Sequence, residues 1–143
     1  METKNPLEIA LKYYGQTAIA GEQTNAIIQE FYRQAGHKEI TGDETPWCSA
    51  FLIAVMKEAG YPHSNSLLAR SWLHTGIEVT EPQLGDVVIF WRIAREGLFG
   101  HVGIFISQDA GMVYVLGGNQ KNSVCIAPYS KNQLLGYRRL EIK

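Results

Sequence analysis

A chain of 143 residues fits one domain with a sizeable core, and its 45% hydrophobic and 19% charged residues exclude a disordered chain. A net charge of −1 gives no general attraction for nucleic acid or anionic lipid, and no apolar run approaches the roughly 18 residues of a membrane span. Two cysteines, Cys48 and Cys125, are too few for a disulfide framework, and a single bridge between them is disfavoured in a reducing compartment.

The start, METKNPLEIALKYYG, lacks the basic-then-apolar order of a signal peptide. Synthesis and folding in the cytoplasm are therefore expected, as a monomer with one domain over 1–143. In that first stretch Asn5, Pro6 and Glu8 supply a cap, a first-turn proline and an acid three residues after the cap, and Gly15 ends the helix. GEQTNAIIQEFYRQAG repeats the pattern: Thr24 or Asn25 caps, Ile27, Ile28 and Phe31 share a face, and Gly36 stops it. Residues 37–46 are polar and turn-rich. Thr45 then suits an N-cap and Pro46 a first helical position, which places Cys48 third in a helix carrying Phe51, Leu52, Val55, Met56 and Ala59 and closed by Gly60 and Pro62. A short helix is expected from about Ser66 to His74.

From Glu78 the texture is β. DVVIFWR, HVGIFIS, MVYVLGG, SVCIAPY and LLGYRRLEI are short β-branched and aromatic runs punctuated by Gly, Asp, Asn and Pro, and SQDAGM reads as a hairpin turn. Helices followed by an antiparallel meander predict an α+β fold.

Three residues carry the chemistry. A thiol reacts as its thiolate, which free N–H groups at a helix start favour, so Cys48 stands where a nucleophile would stand. The alternative is a small buried residue packing under Trp47. His101 opens HVGIFI, a strand expected to be central and to pack against the Cys48 helix; an imidazole there can take the thiol's proton and sustain a thiolate–imidazolium pair. His37, His63 and His74 lie at loops and helix ends and read as surface or structural. The imidazole needs a third group to accept its other N–H. Asn119 in VLGGNQ, beyond the strand after the histidine strand, is the candidate, with Gln120 beside it.

The order of these motifs, PWCSAF, LGDVVIFWR, GHVGIF and VLGGNQ, resembles the CHAP/NlpC-type amidohydrolases and peptidases, papain-like cysteine enzymes that cut bacterial cell walls. The nearest variety is the compact single-domain kind of phage lysins and bacterial toxins, and the resemblance runs from about Pro6 to Tyr137. It implies a papain-like fold, Cys48 as nucleophile, His101 as base and Asn119 as the orienting group, with no metal or organic cofactor. Many CHAP domains carry a glutamate two residues before that asparagine; Gly117 stands there, so orientation rests on Asn119, or on Gln120 if the strand is shifted. No papain-like glutamine shortly precedes Cys48, and the Cys48 backbone N–H with a donor from 42–46 is the expected oxyanion site.

Candidate substrate contacts are Trp47 and Trp72 lining a groove, Asp43 and Glu44 meeting a cationic group, and Gln120. For Trp47 the plain alternative is a core plug, and for the two acids it is a favourable helix start. Phe90, Trp91 and Cys125 read as packing. The expected partner is bacterial peptidoglycan, without nucleic acid or membrane insertion, reached through holin-type release of a phage endolysin. The alternatives are a toxin delivered by a secretion machine, with an immunity protein as partner, and an inactive wall-binding module.

Overall fold

The computed structural model describes residues 4–18, 25–36 and 47–141. Helix α1 spans Pro6–Lys12 and is capped by Asn5, whose side chain accepts from the Leu7 N–H at 2.9 Å. Helix α2, Ala26–Gln34, is capped by Asn25, so of the two expected caps the second is used. Both pack on α3, Cys48–Ala59, which buries ten of its twelve residues and stops at Gly60 in the left-handed conformation, φ 80°. Lys12 Nζ and Tyr13 Oη both donate to the Glu58 carboxylate, at 2.7 and 2.6 Å, and tie α1 to the end of α3.

Two boundaries differ from expectation. Cys48 is the first helical residue rather than the third, because Trp47 has extended-to-bridge geometry (φ −129°, ψ 19°) and holds the N-cap position. Thr45 and Pro46 lie outside the described residues. The short helix is a 3-10 turn over Ala69–His74. Upstream, Ser64 and Ser66 accept from the backbone N–H groups of Ser66 and Leu68, both at 3.1 Å, which holds that stretch in turns instead of a helix.

The strands are β1 (Ile77–Val79), β2 (Val87–Trp91), β3 (Gly100–Gln108), β4 (Met112–Gln120), β5 (Ser123–Ser130) and β6 (Leu134–Arg139). They form one antiparallel sheet in the order β1-β6-β2-β3-β4-β5. The α+β class stands, and β2 to β5 are the expected meander. The last strand departs from it: β6 crosses back to the free edge of β2. Arg139 anchors it there with two parallel bonds to Asp86, Nε to Oδ1 at 2.9 Å and Nη2 to Oδ2 at 2.8 Å.

Strands β2 to β4 are apolar on both faces. Val87, Ile89, Val102, Ile104 and Leu116 join the helices in the main core. Val88, Phe90, Phe105, Val113, Val115 and Tyr137 form a second cluster on the other face. There Phe90 of β2 stacks on Tyr129 of β5 with ring centroids 5.1 Å apart. Three strand spacings in a flat sheet would separate those strands by about 14 Å. The sheet therefore curls strongly, and its concave side becomes a cleft.

Candidate active site

The first turn of α3 carries Cys48, which is not among the residues that line the cleft. Trp47 stacks on Phe31 (centroids 6.2 Å, 26° between planes) and is fully buried. A Cβ on Gly118 of β4 would stand 2.8 Å from both the Trp47 ring and Phe51 Cβ, so the absent side chain is what lets α3 start this close to the sheet. Below the same turn, Trp72 Nε1 donates to Ser49 Oγ at 2.9 Å, and Ser49 Oγ donates to the Ser66 carbonyl at 2.7 Å. Trp47 and Trp72 were candidate groove residues; both are 0% exposed and offer nothing to a substrate. They are pillars that fix the height of α3.

With no capping oxygen on Trp47, the first-turn N–H groups are left for the cysteine. The backbone N–H groups of Val102, Ser49 and Cys48 favour the thiolate form of the Cys48 sulfur. Val102 follows His101 on β3, the strand the sequence pointed to. Burial pushes the thiol above its usual pKa, and those N–H groups and the Arg92 charge offset this only in part.

His101 is 4% exposed, and burial lowers its pKa to about 4; its bond to Gln120 works against that shift and the Arg92 charge adds to it. Burial disfavours both the thiolate and the imidazolium, and so works against the thiolate–imidazolium pair that the sequence suggests.

Gln120 sets the imidazole's tautomer. Its Nε2 donates to the carbonyls of Val115 and Cys125, at 3.0 and 2.6 Å, which turns Oε1 toward His101 Nε2 at 2.8 Å. An oxygen that can only accept requires a proton on that ring nitrogen, leaving the Nδ1 lone pair as the basic site. Tyr129 covers the ring face, stacked at 4.6 Å and 17°.

Asn119, the first candidate for this role, makes no hydrogen bond to the ring. In β4, Gly117 pairs with Cys125 and Gln120 with Ser123, so Gly118 and Asn119 together face Val124 alone. This bulge, with Asn119 at φ 58°, shifts the alternation by one and gives Gln120 the direction that residue 119 would have had. Gly117 supplies the room: a Cβ there would lie 2.6 Å from Gln120 Oε1 and 3.4 Å from His101 Nε2. Asn119 and Gln120 are the last residues of β4 rather than lying past its end.

The cleft has a volume of about 430 Å³. Besides His101, Asn119 and Gln120, its wall includes Arg92, Lys121, Asn122 and Tyr129, none singled out from sequence, and Trp91, read there as packing. Arg92 had a signal, since hairpin pairing puts the end of β2 beside the start of β3; Tyr129 had none, because its approach depends on the curl. Asp43, Glu44, His37 and the 42–46 segment lie outside the described residues. A larger hollow of about 520 Å³, between α2 and α3 and lined by Ile27, Phe31 and Lys57, contains no thiol or imidazole. Among the described residues no group of three or more His, Cys, Asp or Glu is placed to hold a metal ion.

The profile of the CHAP domain family matches residues 40–119, more than half of the chain. No curated protein matches the sequence significantly. Among solved structures, the chain is similar to a Staphylococcus aureus subsp. aureus Mu50 protein described as similar to lipoprotein, of the NLP/P60 family. The TM-score is 0.54 at 20% identity, over 100% of this chain and 44% of the other. This chain thus spans less than half of that protein, and at this identity the likeness speaks for the papain-like fold alone.

Proposed function

The chain belongs to the CHAP domain family, and from that premise we propose a cysteine-dependent hydrolase that cuts an amide bond of bacterial peptidoglycan, in or at the base of the stem peptide. The observation that supports the reading is the locked imidazole, with Gln120 fixing the proton on Nε2 and the Arg92 charge acting on both His101 and Cys48.

In this reading His101 Nδ1 takes the thiol proton as Cys48 Sγ attacks the amide carbonyl. Because burial disfavours both charges, the proton moves with the attack instead of before it. The Cys48 backbone N–H, at the positive end of α3, faces the developing oxyanion. The imidazolium, held by Gln120, then protonates the leaving amine, and the acyl-enzyme forms as the C–N bond breaks. Water enters, gives its proton to His101 and releases the thiol. The residues need no cofactor for these steps. Delivery as a phage endolysin is the biological setting we propose, with secretion as a toxin the alternative.

The test is digestion of purified peptidoglycan by wild type and Cys48→Ala, with mass spectrometry of the fragments. Release by wild type alone is expected. A new N-terminal L-Ala identifies an amidase, and fragments cut within the stem or cross-bridge identify an endopeptidase. Equal release by a folded Cys48→Ala protein would exclude the thiol mechanism.

A further inference from the structure

The cleft beside His101 is cationic in a protein whose net charge is −1. Arg92 and Lys121 stand on its wall, and among the described residues no aspartate or glutamate lines it. Neither cation has an ion-pair partner among the described residues. Unneutralised positive charge in a concave site favours an anionic ligand.

Both cations are on fixed supports. Arg92 follows the last residue of β2, and its N–H donates to the Phe99 carbonyl at 3.1 Å. The loop it enters is clamped by one guanidinium: Arg70 donates to the carbonyls of Phe99, Arg95 and Ala94 at 2.9, 2.6 and 2.6 Å. Lys121 and Asn122 form the two-residue turn between β4 and β5, both left-handed at φ 52° and 62°. Such a turn favours Asn, Asp or Gly at its first position, and a lysine there is strained. Strain kept at the rim of a cleft is a mark of function. The carboxamide-bearing Asn119 and Asn122 complete the polar wall, and Trp91, also on it, has a buried indole N–H with no partner among the described residues.

We propose that this wall is a carboxylate subsite, in which Arg92 and Lys121 hold a free carboxylate of the stem peptide beside the amide presented to Cys48. The assignment rests on the peptidoglycan reading above and adds the feature that reading leaves open, a preference among wall chemotypes. Stem peptides carry carboxylates at D-glutamate and at the chain end, and some walls convert them to carboxamides, which keep the shape and lose the charge. Arg92 is a specificity-determining residue here, and its guanidinium suits a bidentate carboxylate contact.

The experiment uses the full chain as Cys48→Ala and two synthetic disaccharide-tetrapeptides, one with free carboxylates and one fully amidated, titrated by calorimetry. The free acid is expected to bind about tenfold tighter, a ratio that shrinks toward one in Arg92→Gln and in Lys121→Asn. Lys121→Asn relieves the strained turn, so its Tm rises by about 2 °C while the preference falls, which separates lost recognition from lost folding. Inorganic phosphate is the control for general anion binding: competition by phosphate as strong as by the free acid overturns the assignment to carboxylate. Equal affinity for the two peptides, binding of neither, or a preference that survives both substitutions also overturns it. Selective binding by Cys48→Ala, with no wall hydrolysis by wild type, would keep the subsite and remove the hydrolase reading.

Discussion

On the helix side of β4, Gly118 lets Trp47 and Phe51 close against the strand, and everything that seats Cys48 there is packing: Trp47 on Phe31 and Trp72 beneath Ser49. On the opposite side, one residue earlier, Gly117 makes room for an amide, and what holds His101 is a set of directed hydrogen bonds through Gln120. Two adjacent glycines thus serve two kinds of support. Packing fixes where the thiol is, and hydrogen bonding fixes which nitrogen of the imidazole is basic. Packing tolerates small errors at a graded cost, whereas a tautomer is either right or wrong.

The largest test of this contrast needs no mutation. In the folded chain His101 stays neutral down to about pH 4, whereas an unfolded imidazole takes its proton near 6.5. Between these values the unfolded chain binds the extra proton, so stability falls as pH drops from about 6.5 to about 4, by about 3 kcal/mol in total. Urea unfolding across that range should show the loss, and a flat profile would mean the ring is not held neutral. Next, Gln120→Leu keeps volume but releases the tautomer. The peptidoglycan hydrolase reading then expects kcat to drop about 100-fold with KM little changed. Gln120→Glu should restore part of that rate and move the acid limb of the pH profile upward, because a carboxylate favours the imidazolium; a purely structural glutamine would not move that limb.

On the packing side, Gly118→Ala should cost about 2 kcal/mol in chemical denaturation by forcing Trp47 and Phe51 outward, with activity lost only as far as α3 shifts. A neutral result would mean that the helix start is not seated by this contact. The smallest effect belongs to Trp72→Phe, which removes the bond to Ser49 and should lower stability by about 1 kcal/mol. Its KM should not change; a raised KM would return Trp72 to the substrate groove.

Much of the scaffold was legible because its signals are local. Asn5 and Asn25 cap as their side chains allow, Gly60 ends α3, and the β-rich runs became strands where they were read. The placement of Cys48 and His101, each near the start of an element, was legible for the same reason. The return of β6 to β2 depends on Arg139 meeting Asp86, 53 residues apart, and no local pattern announces it. Gln120, the alternative for a shifted strand, could not be chosen over Asn119 by a period-two reading, because the extra residue enters only through a left-handed non-glycine, Asn119. For Trp47 the core-plug alternative holds, and Trp72, read as a groove residue, is likewise a support, because an indole's apolar body suits a groove and a core equally.

The Gln120 amide also ties three strands together, since it sits on β4, donates to a carbonyl of β5 and accepts from the imidazole of β3. A chain in which the last hairpin has not yet closed already possesses its thiol and its imidazole, but nothing chooses between the two ring nitrogens. On the hydrolase reading, the basic nitrogen is therefore chosen only once that hairpin has closed.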